Sequence, residues 1–441
     1  LDAISIEYSN IQGDTIAVYH DGGEEYNLSV TNIDIPSRFI SVPDLNYGLL
    51  ATSFLINAGH PDSTDSDGTI ADMGAYPYLN SYSGPTWYIT EGGNDTTATG
   101  SSTDPFRSIQ AGINFANDAD SVTVAAGTYV ENINFRGRNI KVAGEDRETT
   151  IIDGNQEEIV VWFGNGEDST AILSNFTITN GSQGIKCFNN SNPRIGNNII
   201  TGNAYSGPVF SGAWGAGISV HSSSPKIYNN VIANNYAEGE SGGIEFWISE
   251  VNLINNTIVN NTSDGNYGGI YMHYPSYADV VNTIIRGNSP GFQVVINCRW
   301  GGGDYTMISY SNIEGGEDGV YQWGPDCELI WGDGNIDAEP NFCSYFTGDY
   351  HLAEGSSCIG SGLGGANMGA LDVGCEFPQF PEPEIMSVMD VPEDQGGRVY
   401  VEFSSSMFDH LEATNQSYTI FRMDALDDSS AWVVVASGAA I

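Results

Sequence analysis

The feature that most constrains this chain is a motif that recurs five times between residues 175 and 282. Each copy begins with asparagine, continues with a short apolar stretch and ends with Asn or Gly-Asn. The copies are NFTITN from Asn175, NIITGN from Asn198, NVIANN from Asn230, NTIVNN from Asn256 and NTIIRGN from Asn282, spaced 23, 32, 26 and 26 residues apart. Self-similarity at a period of roughly 20–50 residues is typical of solenoids, in which each repeat buries its apolar side only against its neighbours.

A second pattern runs beside the first and predicts β-strands. Its copies are GIKCFN from Gly184, GISVHS from Gly217, GIEFWI from Gly243 and GIYMHY from Gly269. Apolar residues at alternate positions are the signature of a strand, and helix-period stretches are almost absent. We therefore predict an all-β fold, a parallel β-helix whose coils consist of short strands joined by Asn/Gly turns.

Stacked coils bring equivalent residues into columns. Stacked asparagines can form a ladder, each amide donating to the next carbonyl. We predict such a ladder at Asn175, Asn198, Asn230, Asn256 and Asn282. Strand alternation predicts inward side chains at Ile185, Cys187, Ile218, Val220, Ile244, Phe246, Ile270 and Met272, and outward side chains at Lys186, Phe188, Ser219, His221, Glu245, Trp247, Tyr271 and His273.

A longer repeat sets the domain organisation. EYSNIQG from Glu7 matches SYSNIEG from Ser309 at an offset of 302, and each is followed by a similar closing motif, FLINAG…ADMGAYP and SCIGSG…ANMGALD. We therefore predict that residues 1–82 are the final coils and cap of one β-helix module and that residues 84–376 are a complete second module. Both chain ends look like cuts through a longer polypeptide.

The sequence also predicts what lies at the two ends of the second module. RSIQAGINFAND, from Arg107, has apolar residues at helical spacing with Ser108 as a possible cap, which predicts an N-terminal capping helix over the open end of the solenoid. Residues 377–390 read as a Pro-rich linker. Residues 391–441 read as the start of an antiparallel β-sandwich, which at this length is truncated.

Charge and cysteine content narrow the class of protein. The formal net charge is −43, from 13 basic and 56 acidic residues. Such a chain repels phosphate backbones and anionic bilayers, so we expect no nucleic-acid binding and no membrane insertion. Five of the six cysteines follow residue 297, and we expect one or two disulfides there and a buried thiol at Cys187. Together these features favour an extracellular location.

Several segments resemble a known family. TWYITEGGNDTTATGSSTDPFRSIQAGI, VAAGTYVENINF and the Asn-centred repeats resemble the pectin-lyase-like right-handed parallel β-helix proteins of secreted bacterial multidomain chains. VPEDQGGRVYVEF from Val391 and YTIFR from Tyr418 resemble the start of a fibronectin type III-like domain. The resemblance implies a right-handed solenoid and export to the cell surface. It leaves the function open, since this superfamily includes lyases, hydrolases, epimerases, adhesins and spacers.

The resemblance also implies where to look for a site, because enzymes of this fold usually work on the outer face of one parallel sheet. The outward residues Glu245, Tyr271, His221, Trp247 and His273 fall there together. Aromatic faces stack on sugar rings, and Glu or His can bind hydroxyls or move protons. The alternative is that these are ordinary outward residues shielded by the loops 204–216 and 236–241.

Two enzymatic alternatives use the same face. A glycosidase needs two carboxylates, whereas the column Lys186, Ser219, Glu245, Tyr271 and Gln293 holds one; Glu238 or Glu240 would have to supply the second. A polysaccharide lyase needs a basic residue, for which Lys186 and Lys226 are available.

An acidic loop is a candidate calcium site. HPDSTDSDGTIAD, from His60, offers Asp62, Asp65, Asp67 and Asp72 around Gly68, and hard carboxylate oxygens around a glycine turn suit Ca²⁺. The loop departs from an EF-hand at the first and twelfth positions, and a solvated acidic turn is the alternative. Asn94, Asp95 and Asp104 form a weaker candidate. The six histidines show no zinc-binding spacing.

The sequence thus predicts a secreted modular protein with a structural or adhesive role that contacts a polysaccharide or cell-surface glycan. The first alternative is a carbohydrate-active enzyme, a lyase or glycoside hydrolase, acting on the same face. The second is a subunit of a self-assembling extracellular fibre or sheath, which tandem modules permit. The expected partners are glycans, further modules of its own chain and other copies of itself. Structural Ca²⁺ is the one expected cofactor.

Overall fold

The structure is a computed structural model that describes most of the chain. The described residues are 4–13, 26–206, 215–239, 241–265, 267–299, 305–377, 385–390, 399–403, 417–423 and 432–439. They fall into two compact units, Leu1–Pro340 with Ser357–Asp372, and Asn341–Ser356 with Val373–Ile441. No helix in the described ranges is both long enough and apolar enough to cross a bilayer.

The first unit is a right-handed parallel β-helix of about nine turns, as the repeats predict. Its walls are three parallel sheets, here named A, B and C, with strands numbered in chain order. Sheet A consists of β8 Ile133–Asn134, β11 Ile159–Phe163, β14 Gln183–Cys187, β18 Ile218–His221, β22 Ile244–Trp247, β26 Ile270–His273, β29 Val294–Asn297 and β32 Val320–Trp323.

Sheets B and C complete each coil. Sheet B consists of β5 Thr86–Ile89, β6 Ser121–Val124, β9 Lys141–Gly144, β12 Ile172–Ser174, β15 Arg194–Gly196, β19 Lys226–Tyr228, β23 Glu250–Ile254, β27 Tyr277–Val281, β30 Tyr305–Ser309 and β33 Glu328–Trp331. Sheet C consists of β7 Gly127–Val130, β10 Thr150–Asp153, β13 Thr177–Thr179, β16 Ile199–Thr201, β20 Val231–Ala233, β24 Thr257–Val259, β28 Ile284–Arg286 and β31 Asn312–Ile313. Coil after coil adds one strand to each sheet in parallel register, so residues of successive repeats lie in straight columns.

Smaller elements surround these walls in the first unit. They are β1 Ile4–Ile6, β2 Tyr26–Leu28, β3 Phe39–Ser41, β4 Asn46–Leu49, β17 Ala204–Tyr205, β21 Tyr236–Ala237, β25 Thr262–Ser263, helix α1 Ile109–Phe115 and the 3₁₀ turns Gly316–Gly319 and Leu363–Gly365. Strands β17, β21 and β25 form a further parallel sheet of three strands. The core lies between the walls, and the side chains predicted to point inward from sheet A are at most 1% exposed.

An asparagine ladder is present, but two of its five predicted members were wrong. The backbone N–H of Asn198 donates to Oδ1 of Asn230, and that of Asn230 donates to Oδ1 of Asn256, each at 3.0 Å. Asn175 and Asn282 lie one position earlier, in the neighbouring column of left-handed residues, with φ of 64° and 52°. Their inward neighbours are Phe176 and Thr283, so the ladder spans three asparagines and continues through Thr283.

A second ladder, which the sequence pattern contained but which we did not predict, runs between sheets C and A. This ladder consists of Asn203, Asn235, Asn261 and Asn288. Each Oδ1 accepts hydrogen bonds from N–H groups of the preceding coil, at N···O distances of 2.9–3.1 Å. These are the closing asparagines of the repeated motif. Two buried ladders at two corners satisfy backbone groups that would otherwise cost free energy inside the protein.

Helix α1 forms where the sequence predicts it, although its N-terminus is capped differently. Ser108 occupies the N-cap position, but its hydroxyl donates to Asp95, while the carboxylate of Glu131 accepts the first two helical N–H groups, from Ile109 and Gln110. All seven helical residues are buried.

Residues 49–56 pack over this helix. The side chain of Asn114 donates to the carbonyls of Ala51 and Ser53 at 2.9 Å, and Arg136 donates to those of Phe54 and Ile56. The helix therefore closes the second module from one side and contacts the first closing motif from the other.

The long repeat in the sequence is also a repeat in structure. Tyr8 and Tyr310 both adopt left-handed φ, and the residue after each donates its N–H to an asparagine Oδ1 at 3.0 Å, that of Asn32 or Asn335. The closing motifs share two backbone bonds, Met73 to Leu55 and Gly59 to Ala71 in the first copy, and Met368 to Cys358 and Gly362 to Ala366 in the second. This equivalence supports the assignment of residues 1–82 to a preceding module, which stays a prediction.

The described residues of the second unit form short sheets. Its elements are β34 Phe342–Ser344, β35 Asp349–Ala353, β36 Val373–Cys375, β37 Ile385–Asp390, β38 Val399–Phe403, β39 Ser417–Met423, β40 Trp432–Ala439 and the 3₁₀ turn Tyr345–Thr347. Strands β37 with β38, and β39 with β40, form antiparallel pairs. Strand β37 lies in the second half of the predicted linker 377–390, and the linker assignment stays a prediction. The fibronectin type III-like assignment stays a prediction.

The cysteines divide as the sequence suggests. Disulfides join Cys298 to Cys327 and Cys343 to Cys375, one in each unit. Cys187 and Cys358 are buried thiols. Burial raises the pKa of Cys187 well above its ordinary value, because a thiolate would lose its hydration there.

Candidate functional site

The outward face of sheet A brings the five predicted site residues together. The strand register places Ser219, Glu245 and Tyr271 in one outward column and His221, Trp247 and His273 in the next. Gln293 was wrongly placed in the first column, where the structure has Val295. Gln293 instead ends the second ladder, accepting from the amide of Asn288 at 2.9 Å.

Glu245 is the centre of this cluster. Nε2 of His273 lies 2.7 Å from its Oε1, and Nε2 of His221 lies 2.9 Å from its Oε2. The hydroxyl of Ser219 donates to the same Oε2 at 3.1 Å. Ser219 and His221 lie on the strand of the coil before Glu245, and His273 lies on the strand of the coil after it. The carboxylate therefore links three consecutive strands of sheet A.

The cluster keeps the carboxylate ionised. Burial by itself raises the pKa of Glu245, but hydrogen bonds from His221 and His273, together with their charge, lower that pKa to about 2. A carboxylate in this state is a poor general acid near neutral pH, because it carries no proton to donate. Its hydrogen bonds also occupy both oxygens.

The cluster is buried although it points away from the core. Glu245 is 0% exposed, and His221, Tyr271 and His273 are at most 3% exposed. Tyr267 covers part of it, since its ring stacks on that of Tyr271 with centroids 4.4 Å apart. Among the five predicted residues, Trp247 alone is half-exposed. The glycan-binding role of the other four stays a prediction, and direct contact would require displacement of this cover.

A row of half-exposed aromatic side chains crosses the same face. We call Trp162, Phe188, Trp247 and Tyr274 the aromatic track. Ring centroids are 6.4 Å apart for Trp162 and Phe188, and 5.6 Å apart for Trp247 and Tyr274. His221 bridges the two halves, 6.3 Å from Phe188 and 5.0 Å from Trp247.

One cation lies on this track. Nζ of Lys186 is 5.5 Å from the ring of Trp162 and 6.0 Å from that of Phe188. Burial lowers the pKa of Lys186, and the charge of Glu245 acts in the opposite direction. Sequence reasoning missed Trp162 and Tyr274. Trp162 lies one coil before Lys186 in the same outward column, and the repeat pattern recognised in the sequence begins only after it. Tyr274 is the residue that follows the end of β26.

The track begins at a cavity of about 650 Å³ on the first coils of sheet A. Its wall includes Arg38, Phe54, Glu131, Glu158 and Trp162. Residues within 36–54, which come before the second module in the chain, therefore lie beside the outward face of β8 and β11. A cavity of this size holds a small ligand or the end of a longer one.

Within the described residues, Ser219, His221 and His273 bond to the Glu245 carboxylate, and none of these partners is a second carboxylate. Glu238 is exposed in the turn after β21, and Glu240 lies outside the described residues. Lys226, one of the two possible lyase bases, lies on sheet B and not on sheet A. A glycosidase site centred on Glu245 and completed by Glu238 or Glu240 therefore stays a prediction.

The predicted calcium loop is held by its own carboxylates. Asp65 accepts the N–H of Asp72, Asp67 accepts those of Thr69 and Asn80, and Asp72 accepts those of Asn57 and Tyr78. Asp62 is exposed.

No group of three metal-binding side chains converges anywhere in the described ranges. Burial raises the pKa of Asp72 to about 6 despite its two backbone hydrogen bonds. Asp95 and Asp104 likewise accept backbone N–H groups, from Arg107 and Thr99. The donors to these oxygens include backbone N–H groups of the loop and of residues beside it, which fits the acidic-turn alternative, and calcium binding stays a prediction.

A comparison with protein-family models agrees with the fold. Residues 111–285 match a family model described as a right-handed β-helix region. A crystal structure of a pectin methylesterase mutant in complex with a hexasaccharide is similar at 13% identity, over 57% of this chain and 90% of that one, with a TM-score of 0.26. No curated protein matches the sequence. The matched segment spans the first ladder, most of the second and most of sheet A, and so the centre of this chain is similar to right-handed β-helix proteins.

Proposed function

We propose that this chain is a glycan-binding structural module of a secreted or cell-surface protein, and that the glycan lies along the outward face of sheet A. The aromatic track is the observation that supports this most. Its four rings are half-exposed and follow one another along the solenoid axis.

The spacing of the track suits an extended sugar chain. Successive coils of a parallel β-helix are about 4.8 Å apart, so a ligand lying along the axis meets the side chain of a new coil at each step. Aromatic faces bind the apolar faces of sugar rings, and the ammonium group of Lys186 donates hydrogen bonds to hydroxyl or carboxylate oxygens. The cavity beside Trp162 gives one end of the chain an enclosed position.

The Glu245 cluster supports the track from beneath. His221 contacts both Phe188 and Trp247, and Nε2 of His221 is held by Glu245. A ligand-binding surface built on rigid strands loses little conformational entropy when it binds. We assign Glu245, His221 and His273 to this supporting role, in which a permanently ionised, buried carboxylate is an advantage.

An extracellular location is consistent with the rest of the chain. The two disulfides persist where conditions are oxidising. The acidic composition keeps such a protein soluble at high local concentration. The repeated closing motif favours tandem modules, as surface stalks and adhesins require.

Binding measurements on a panel of neutral and acidic polysaccharides test the proposal. We expect at least one to bind, and Trp247→Ala to weaken that binding by about tenfold, the cost of one lost aromatic contact. Tyr76→Ala is the matched control, because Tyr76 is 63% exposed and lies outside sheet A. Equal losses in the two variants, or no binding across the panel, contradict the proposal.

Turnover distinguishes the enzymatic alternative. Product formation that is abolished by Glu245→Gln, in a variant that is still folded and still binds the same polysaccharide, would show that the cluster is catalytic and that the supporting role is wrong. Binding without product is the outcome that we expect.

A further inference from the structure

Sheet B carries a concentration of positive charge that the proposed function does not use. The outward column of this sheet places Lys141, Ile172, Arg194 and Lys226 on four consecutive coils in direct register. The three basic side chains are exposed. We call them the basic column. The basic column includes two of the chain's three lysines. Because the chain has only 13 basic residues against 56 acidic ones, three basic residues in one column are not expected by chance.

The described part of the chain provides no ion-pair partner for the basic column. In the ranges that the structure describes, none of its three members forms an ion pair with a carboxylate. Arg286 shows the contrast, because it pairs with both Asp337 and Glu339.

Carboxylates near the basic column along the chain and the sheet have other partners. Asp168, in the turn before β12, accepts from the backbone and hydroxyl of Thr170. Asp279, two coils beyond Lys226, accepts from the hydroxyl of Tyr305 at 3.1 Å.

This arrangement costs stability in the free protein. Arg194 and Lys226 are direct register partners on adjacent strands, where like charges repel. A bound anion between them would relieve that repulsion. An external anionic partner therefore explains this pair of like charges better than a contribution to the stability of the fold does.

An aromatic ring lies close to two of these cations. Tyr228 is half-buried, and Arg194 and Lys226 lie 5.7 and 5.9 Å from its ring centre. The ring occupies space above Gly196, where an added Cβ would come within 2.2 Å of Tyr228 Cζ. The missing side chain at Gly196 thus lets the ring approach the sheet closely, within reach of both cations.

We propose that the basic column and Tyr228 form a second binding site, for an acidic glycan whose sugar rings carry carboxylate or sulfate groups. The column spans three steps of about 4.8 Å, roughly 14 Å, which matches an extended chain of a few sugars better than a single small anion. Guanidinium and ammonium groups bind carboxylate and sulfate oxygens through charge-assisted hydrogen bonds. Tyr228 provides a face for a sugar ring.

A denser polyanion is a poorer fit. Duplex nucleic acid carries about one charge per 1.7 Å, and the surplus negative charge of this protein repels it beyond the short column. The acidic glycan carries one or two charges per sugar, which the three cations can match. The site is independent of the aromatic track, since it lies on another sheet.

The test compares two double variants that each remove two exposed cations. Arg194→Gln with Lys226→Gln removes part of the basic column, and Arg107→Gln with Arg299→Gln removes two exposed arginines elsewhere. Affinity for polygalacturonate, dextran sulfate and uncharged dextran is measured at low and at physiological salt. The two charged polymers separate carboxylate from sulfate recognition.

We expect the intact chain to bind at least one charged polymer and not dextran. The basic-column variant should bind about tenfold more weakly, a few-fold for each exposed charge contact, and the control should be unchanged. Trp247→Ala should leave this binding unchanged, which separates it from the function proposed for sheet A. Equal weakening in the two double variants, or no binding to either charged polymer, overturns the proposal. So does self-association of the intact chain that the basic-column variant loses, because the acidic partner would then be a second copy.

Discussion

Nε2 of His273 lies 2.7 Å from Oε1 of Glu245, and the two side chains are 3% and 0% exposed. A carboxylate and an imidazole in this relationship suggest catalysis when only the sequence is known. In the structure they form a closed network with His221 and Ser219. The network lies under an aromatic surface that is itself half-exposed, which is why we assign it a supporting role.

The pKa of Glu245 predicts how stability depends on pH. The pKa is lowered from 4.5 to about 2 in the folded protein, so the carboxylate stabilises the fold fully above pH 4.5 and loses that contribution as the pH falls toward 2. We expect Glu245→Gln to be less stable than the intact chain by on the order of 3 kcal/mol near neutral pH. The difference in unfolding free energy should shrink below pH 4.5.

Chemical denaturation at a series of pH values measures this difference. Glu238→Gln is the control, because Glu238 is exposed beside the same sheet and should show no such dependence. A difference that stays constant down to pH 2.5 would mean that the carboxylate is not held in its ionised form by the two histidines.

The asparagine ladder predicts a large effect for a small truncation. Asn230 is fully buried, donates to the carbonyls of Ile195 and Tyr228 and accepts from the backbone of Asn198. Asn230→Ala leaves these groups unpaired inside the protein and should cost roughly 3 kcal/mol of unfolding free energy. Asn252→Ala, on the exposed face of sheet B, should cost less than about 0.5 kcal/mol. Equal costs, measured by urea denaturation, would show that the ladder is not a source of stability.

The contact between the first closing motif and the second module depends on Arg136. Its guanidinium donates to the carbonyls of Phe54 and Ile56 and to Oδ1 of Asn114. Burial lowers the pKa of Arg136 to about 9, so the group is still charged at neutral pH. Arg136→Gln should accelerate amide hydrogen exchange in residues 49–59, while the coils of sheet A keep their protection. Arg107→Gln, at an exposed arginine, should change neither region, and unchanged exchange in Arg136→Gln would refute the role of this contact.

The disulfide assignment predicts a thiol count. Cys187 and Cys358 are buried thiols, and the other four cysteines are paired. The oxidised protein, denatured without reductant, should therefore react with two equivalents of a thiol reagent, and with six after reduction. Any other count in the unreduced sample would contradict the pairing. Loss of the Cys298–Cys327 bond should lower stability by about 2–4 kcal/mol.

The fold could be predicted from the sequence because its signal is periodic. Each repeat carries the same alternation of apolar residues, and stacking turns that alternation into columns. The exact columns were harder to assign. At Asn197-Asn198 and Asn229-Asn230 two asparagines are adjacent, one left-handed and one inward, whereas at Asn175 and Asn282 only the left-handed residue is asparagine. The motif alone does not distinguish the two positions.

The site could be predicted only in part, for a physical reason. Strand alternation shows that Glu245 points away from the core, and this was correct. It does not show that Tyr271 is covered by Tyr267 from a separate loop, or that the two histidines converge on one carboxylate. Likewise, the carboxylates at Asp65, Asp67 and Asp72 have the composition of a metal site, but their partners are backbone N–H groups that a sequence pattern does not reveal.

The most direct test of the central claim is a crystal structure of the chain with an oligosaccharide chosen from the binding panel. The account predicts sugar rings on the outward face of sheet A, stacked on Trp162 and Trp247, with the Glu245 cluster still buried beneath them. Sugar bound at any other surface while the aromatic track stays empty at saturating concentration would contradict it.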